Sequence, residues 1–170
     1  NNDILRRMNR RYTAEHYKSL IADAREKMPD ITLSSDIIVG FPGETDEDFE
    51  QTLRLVQDTR FDLLFTFLYS RREGTRAAAL LDDTPHDVKQ RRFDRLLEVQ
   101  NEISREENHK LIGRTLRVLI DGKSEDEHYP LTARTDGFQL VLLDAAPDKI
   151  GQWADVVIER SSTWALFARL

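Results

Sequence analysis

Cysteine is absent from the 170 residues. That excludes disulfides, thiolate zinc sites and a cysteine-held iron–sulfur cluster within the chain. No apolar run approaches the roughly 18 residues of a membrane-spanning helix, and the first residues do not read as a signal peptide. The expected compartment is therefore the cytoplasm, with no membrane partner. Positive charge is also short: 25 Lys and Arg face 31 Asp and Glu, for a net charge of −6. A simple basic nucleic-acid binder is disfavoured, although an acidic protein can still carry local basic patches. The four histidines, His16, His86, His109 and His128, lack metal-ligand spacing, and no Ser/His/Asp arrangement is apparent. What is present is 39% apolar and 33% charged residues, which predicts a modest core under a charged surface. The chain opens on "NNDILRRMNRR" without an initiator Met and reads as a piece of something longer.

The first hundred residues read as α/β. "TAEHYKSLIADAREKM" puts Tyr17, Leu20, Ile21, Ala24 and Met28 on one helical face, with Thr13 as cap and Pro29 as stop. Residues 31–39 form a strand whose continuous "DIIV" run suits a parallel strand covered on both faces. Thr45 or Asp46 caps a helix over 47–59, with Phe49, Leu53 and Val56 inward, and 61–69 is a second buried strand. Strand, helix and strand make one right-handed βαβ unit. A polar loop follows, and then Pro85 starts a helix to about Lys110, apolar at Val88, Phe93, Leu96, Leu97, Val99 and Ile103.

In "VGFPGETDEDF" Gly40 ends the strand, Pro42 stiffens the turn and Gly43 permits a left-handed backbone. Ligand sites of open α/β sheets lie at the carboxyl ends of the strands, where this turn falls. Its backbone can read the edge of a flat heterocycle, whereas Glu44, Asp46, Glu47 and Asp48 would repel a phosphate. The same residues also fit a plain βα turn with an acidic cap on the helix dipole. Tyr69 and Ser70 reach the same rim from the second strand, with Arg71, Arg72 and Arg76 adding positive charge. "RRMNRR" is either an anion-binding cluster or a solvated basic stretch.

After Gly113 the texture changes to short strands: "RTLRVLID", "LTARTD", "FQLVLLD", "ADVVIER" and "TWALFARL". They predict a small antiparallel β-barrel over 111–170, following an α/β part over 1–110. Arg114, Arg117, Lys123, Arg134 and Arg160 are candidates for phosphate contact, and Phe138 for stacking. Against this, residues 111–170 hold seven Lys and Arg but nine Asp and Glu, so ordinary surface is the competing reading. Trp153 and Trp164 follow the strand pattern and are expected in the core.

Taken in order, "RRMNRRYTAEHY", "SSDIIVGFPGETDEDFEQTL", "FDLLFTFLYSRREGTRAA", "LTARTD" and "IGQWADVVI" resemble the radical S-adenosylmethionine methylthiotransferases across essentially the whole chain. The resemblance implies the end of a partial (β/α) barrel followed by an OB-like TRAM domain that contacts RNA. It implies a tRNA enzyme acting at C2 of N6-isopentenyladenosine 37 in the anticodon loop, using S-adenosylmethionine, two [4Fe-4S] clusters and a sulfur donor. Val39, Gly40, Phe41, Pro42, Gly43 and Glu44 then match the segment beside the adenosyl group, and Tyr69 and Ser70 the strand approaching the adenine. Arg10 matches an arginine that pairs with the methionyl carboxylate or a substrate phosphate. The family's six cluster cysteines have no counterpart here, so the piece is expected to be inactive alone. Its shortened sheet also leaves apolar strand edges that favour self-association. Sister enzymes acting on ribosomal protein S12 or threonylcarbamoyladenosine, and a non-catalytic RNA-binding adapter, are the alternatives.

Overall fold

Branched apolar residues at 37–39 extend the backbone into β1 (Ser34–Val39) in the computed structural model, which describes residues 1–170. It divides into two compact units, Asn1–Gln100 and Asn101–Leu170, with the division inside the long helix α4 (His86–His109).

In the first unit the basic run begins inside a short helix, α1 (Asn2–Arg7), capped by the Asn1 side chain. Helix α2 (Ala14–Lys27) starts at Thr13, whose hydroxyl accepts the His16 N–H, as the cap pattern predicts. Its apolar face is not buried as expected: Leu20 is 53% and Met28 51% exposed. Only part of that face finds a partner, Tyr17 packing on Phe61 at 6.4 Å between ring centroids. The rest of α2 is held by polar links, Lys18 to Asp58 at 2.7 Å and Arg25 to the Thr59 carbonyl at 2.6 Å. Helix α3 (Asp46–Thr59) opens on a capping box in which Thr45 and Asp48 satisfy each other's backbone N–H, and it buries Phe49, Leu53 and Val56.

Strand β2 (Leu63–Leu68) pairs parallel with β1, Ile38 opposite Phe67 and Val39 opposite Leu68. This sheet is not covered on both faces as the apolar run implied. Val39 is fully buried, but Ile38, Phe65 and Phe67 on the other face are 42%, 54% and 51% exposed. The "DIIV" run therefore reflects two different environments, a core on one side and an open cavity on the other.

The second unit is a closed five-stranded barrel of order β3 (Thr115–Lys123), β4 (Leu131–Thr135), β5 (Leu140–Asp144), β7 (Leu166–Arg169) and β6 (Trp153–Ser161). Every pairing is antiparallel except β5 with β7, which is parallel and lets the C-terminal strand close the ring. Alternate residues, among them Val118, Ile120, Leu131, Val141, Leu143, Ile158 and Leu166, fill the interior. Trp153 and Trp164 are not core: they are 51% and 70% exposed. Trp153 shares the outward register of Asp155 while Val156 and Ile158 point in, and Trp164 lies in the β6–β7 turn. Phe138 also leaves its expected strand. It sits at φ 64° in the β4–β5 turn, its N–H bonded to the Thr135 carbonyl at 2.9 Å.

Candidate functional site

The turn after β1 is shaped by two glycines at positive φ, Gly40 (76°) and Gly43 (74°). The Glu44 N–H closes it on the Phe41 carbonyl at 2.9 Å. Glu44 itself does not face a ligand. Its buried carboxylate folds back to accept the Gly40 N–H at 2.8 Å and the Arg92 guanidinium at 3.2 Å. Arg92 also donates to the Glu44 carbonyl at 3.1 Å and to Asp46 at 2.7 Å. Burial raises the pKa of Glu44, opposed by the Gly40 N–H and by Arg92.

From the other side Arg7 donates to the Pro42 carbonyl at 2.5 Å and the Gly43 carbonyl at 3.3 Å, and lies 5.9 Å from the centre of the Phe41 ring. The rim residues meet: Phe41 and Tyr69 pack edge to face at 5.4 Å, and the Tyr69 N–H donates to the Val39 carbonyl at 2.8 Å. Lys89 lies under them. Its ammonium is 5.8 Å from the Tyr69 ring centre and bonds both carboxylate oxygens of Asp82 at 2.6 and 2.7 Å.

In front of this rim opens a cavity of about 820 Å³. Its floor is the uncovered sheet face, Asp36, Ile38 and Phe67, and its walls include Arg7, Arg10, Arg72 and Arg76. Of the residues singled out from sequence, Arg10, Phe41, Tyr69, Ser70, Arg72 and Arg76 line it, while Arg71 does not. Val39, Gly40, Pro42 and Glu44 are buried and Gly43 half-buried, forming the frame behind Phe41. The Tyr69 hydroxyl is buried without a hydrogen-bond partner, an orphaned polar group at the edge of an apolar and cationic cavity. Sequence reasoning missed Arg7, Lys89 and Arg92. Arg7 was legible only as one member of a basic run. Lys89 and Arg92 share the helical spacing of Leu96, Gln100 and Ile103, which is the stripe of α4 that is actually buried.

On the barrel, the candidate cations are not one patch. Arg117 on β3 lies 4.7 Å from the Trp153 ring centre. Arg134 on β4 is held by Asp121 at 3.3 Å and the Phe138 carbonyl at 3.4 Å, while Phe138 itself is 74% exposed. Arg160 on β6 covers Phe167 at 3.6 Å, Lys123 stands at the exposed end of β3, and Arg114 is exposed just before that strand. Leu119 is the cross-strand partner of both Arg134 and Trp153. Arg134 on β4 and the Arg117–Trp153 pair therefore lie on either side of it, with Arg134 directed to Asp121 and Arg117 to the indole.

Residues 1–56 match the model of the Radical SAM superfamily and residues 109–170 that of the TRAM domain. The chain is 48% identical over 163 residues to a tRNA-2-methylthio-N(6)-dimethylallyladenosine synthase of Acetivibrio thermocellus, covering 96% of this chain and 34% of that protein. It is 45% identical to the enzyme of the same name from Desulfitobacterium hafniense, covering 97% of this chain and 37% of the relative. For Clostridium novyi the figures are 43% identity, 96% and 36%. Over nearly all of its own length the chain is similar to these synthases, with a radical SAM match at its start and a TRAM match at its end. It spans about a third of the length of these curated relatives.

The radical SAM relationship implies S-adenosylmethionine and iron–sulfur chemistry. For the first, the residues fit: an aromatic edge, an orphaned tyrosine hydroxyl and several arginines border one cavity. For a cluster they do not, since the chain contains no cysteine.

Proposed function

We propose that the chain supplies one wall of the S-adenosylmethionine pocket and the RNA-holding domain of a cytoplasmic tRNA methylthiotransferase. The substrate is N6-isopentenyladenosine 37 of the anticodon loop, converted to its 2-methylthio derivative. The observation that carries this reading is the Phe41–Tyr69 edge with its unpartnered hydroxyl beside a cavity rimmed by arginines. Phe41 and Tyr69 hold the adenine side of the cofactor, Ser70 adds a hydroxyl on the same rim, and Arg10 takes the methionyl carboxylate. When bound, S-adenosylmethionine supplies the adenosyl and methyl chemistry of the reaction. Val39, Gly40, Pro42, Gly43 and Glu44 act by fixing the backbone that presents Phe41. The two [4Fe-4S] clusters and the delivery of sulfur belong to residues other than these 170. The TRAM domain grips RNA through Arg117 and Arg134, with Arg114, Lys123, Arg160 and Phe138 contributing outside that pair.

The test is a chimera in which these residues replace the aligned third of the Acetivibrio thermocellus synthase. The expected result is 2-methylthio-N6-isopentenyladenosine in tRNA hydrolysates, measured by mass spectrometry, and at least tenfold less of it with Tyr69→Ala or Arg10→Ala. A folded, cluster-loaded chimera that leaves isopentenyladenosine untouched, or that thiolates threonylcarbamoyladenosine instead, overturns the assignment.

A further inference from the structure

Trp153 is the first residue of β6 and faces outward, half exposed. An indole left in water forgoes the stabilisation that burying its apolar surface would bring, so its position calls for an explanation. Three observations supply one. The Arg117 guanidinium stands 4.7 Å from its ring centre, occupying one of the two ring faces. Trp153 also lines a groove of about 500 Å³ whose other walls include Ala145, Ala146 and Ala154. The small alanine side chains leave open space beside the indole. Finally, Lys149 and Gln152 stand in the same groove. Lys149 makes no ion pair, and Gln152 donates its amide N–H to the Asp148 carbonyl at 2.9 Å, leaving its side-chain oxygen as an acceptor.

We propose that Trp153 is the stacking platform for an unpaired nucleobase of single-stranded RNA, seated in this groove between the indole and the alanine wall. The base stacks on the free indole face, Gln152 accepts from a base N–H, and Lys149 and Arg117 meet the flanking phosphates. Asp148, whose carbonyl accepts from Gln152, and Asp155, the cross-strand partner of Arg117, keep the surroundings from being uniformly positive, which favours recognition through the base over a purely electrostatic grip. A peptide partner would leave Arg117, Lys149 and the Gln152 oxygen to be matched separately; a nucleotide matches all three. This inference rests on the RNA-binding reading of residues 109–170 and adds a subsite to it.

The chain has two tryptophans, so Trp164→Phe makes Trp153 the sole indole reporter. Titrating that variant of the 170-residue chain with a short adenine-rich RNA should quench its emission along the same isotherm that anisotropy gives for binding. An abasic oligomer of equal length should not quench it. Trp153→Ala should weaken binding about tenfold, as loss of one base–aromatic stack does, and Trp153→Phe should stay within about threefold of the parent. Circular dichroism of both variants reports whether the barrel is folded. Equal RNA affinity of Trp153→Ala and parent overturns the subsite while leaving RNA binding in place, as does equal quenching by the abasic oligomer. Failure of the parent chain to bind any RNA overturns both readings.

Discussion

The two units spend their interiors differently. The barrel is filled by aliphatic side chains from alternate strand positions, and its buried polar residue is Thr135. The α/β unit instead buries Glu44, Lys89, Arg92 and Gln100 alongside Val39, Phe61 and Leu96. A buried charge is costly unless paired, so such residues rarely persist for stability alone. Here each has a geometric task. Arg92 and Glu44 lock the turn, Lys89 ties Asp82 and supports Tyr69, and Gln100 donates to the Phe61 carbonyl at 2.8 Å where β2 begins. The barrel core thus acts as a scaffold, and the α/β core as a mount for a loop.

The largest effects should separate these two designs. Leu143→Ala removes a fully buried side chain from a closed apolar ring and should cost about 3 kcal/mol. Denaturant unfolding followed by tryptophan emission checks it, because both tryptophans lie in the barrel. A loss below about 1 kcal/mol would mean that the ring collapses around the cavity and is less rigid than its packing indicates. Arg92→Met should cost a comparable ~3 kcal/mol, because it strands Glu44 as an unpaired buried charge. Adding Glu44→Gln to that variant should recover most of the loss, whereas no second substitution of equal charge logic exists in the barrel. Amide exchange at Gly40, whose N–H is held by Glu44, reads the turn directly. If Arg92→Met leaves that protection unchanged, Arg92 is not what fixes the turn.

How much of this the sequence made legible follows the same division. Barrel strands announce themselves by alternation, and Val156 and Ile158 inward with Asp155 outward is readable without coordinates. Trp153 was misread because its size outweighed its register: it sits two residues before Asp155 and so shares that outward face. The parallel closure of β5 on β7 is a matter of long-range pairing, which local alternation does not encode. In the α/β unit the glycine turn and its capping box are local and legible. Arg92 is 48 residues from the carboxylate it pairs with, and a charged residue on an amphipathic helix reads by default as surface. The uncovered face of β1 and β2 was hidden for a related reason: an apolar run shows that a strand avoids water, not what lies on each side.

Glycine offers a narrower contrast. Gly40 and Gly151 both have positive φ, 76° and 86°. A Cβ at Gly151 meets nothing within 4 Å, whereas one at Gly40 comes within 2.7 Å of the Lys89 side chain. Gly151→Ala should therefore carry only the left-handed backbone penalty, about 1 kcal/mol. Gly40→Ala should exceed it, by an amount thermal unfolding can rank, because Lys89 is anchored on Asp82 and cannot swing away freely. Equal losses at the two positions would show that Lys89 yields, and that its contact with the turn is incidental.

The smallest expected effect is in the pH dependence, and its sign is informative. Burial raises the Glu44 pKa, so between the ordinary carboxylate value and the raised one the folded state holds this proton more than the unfolded chain does. Stability contributed by Glu44 is then fully present below that window and is lost as pH rises through it. The Gly40 N–H and Arg92 both favour the ionised form, which limits the size of the loss. Comparing parent and Glu44→Gln across about pH 4 to 7 isolates this group. The stability advantage of the parent should decline with rising pH, while the barrel, with no buried carboxylate, should show no matching slope. An advantage that grows with pH would mean that Arg92 outweighs desolvation. The turn would then be held by an ion pair in the full sense, and the contrast between the two interiors would be sharper still.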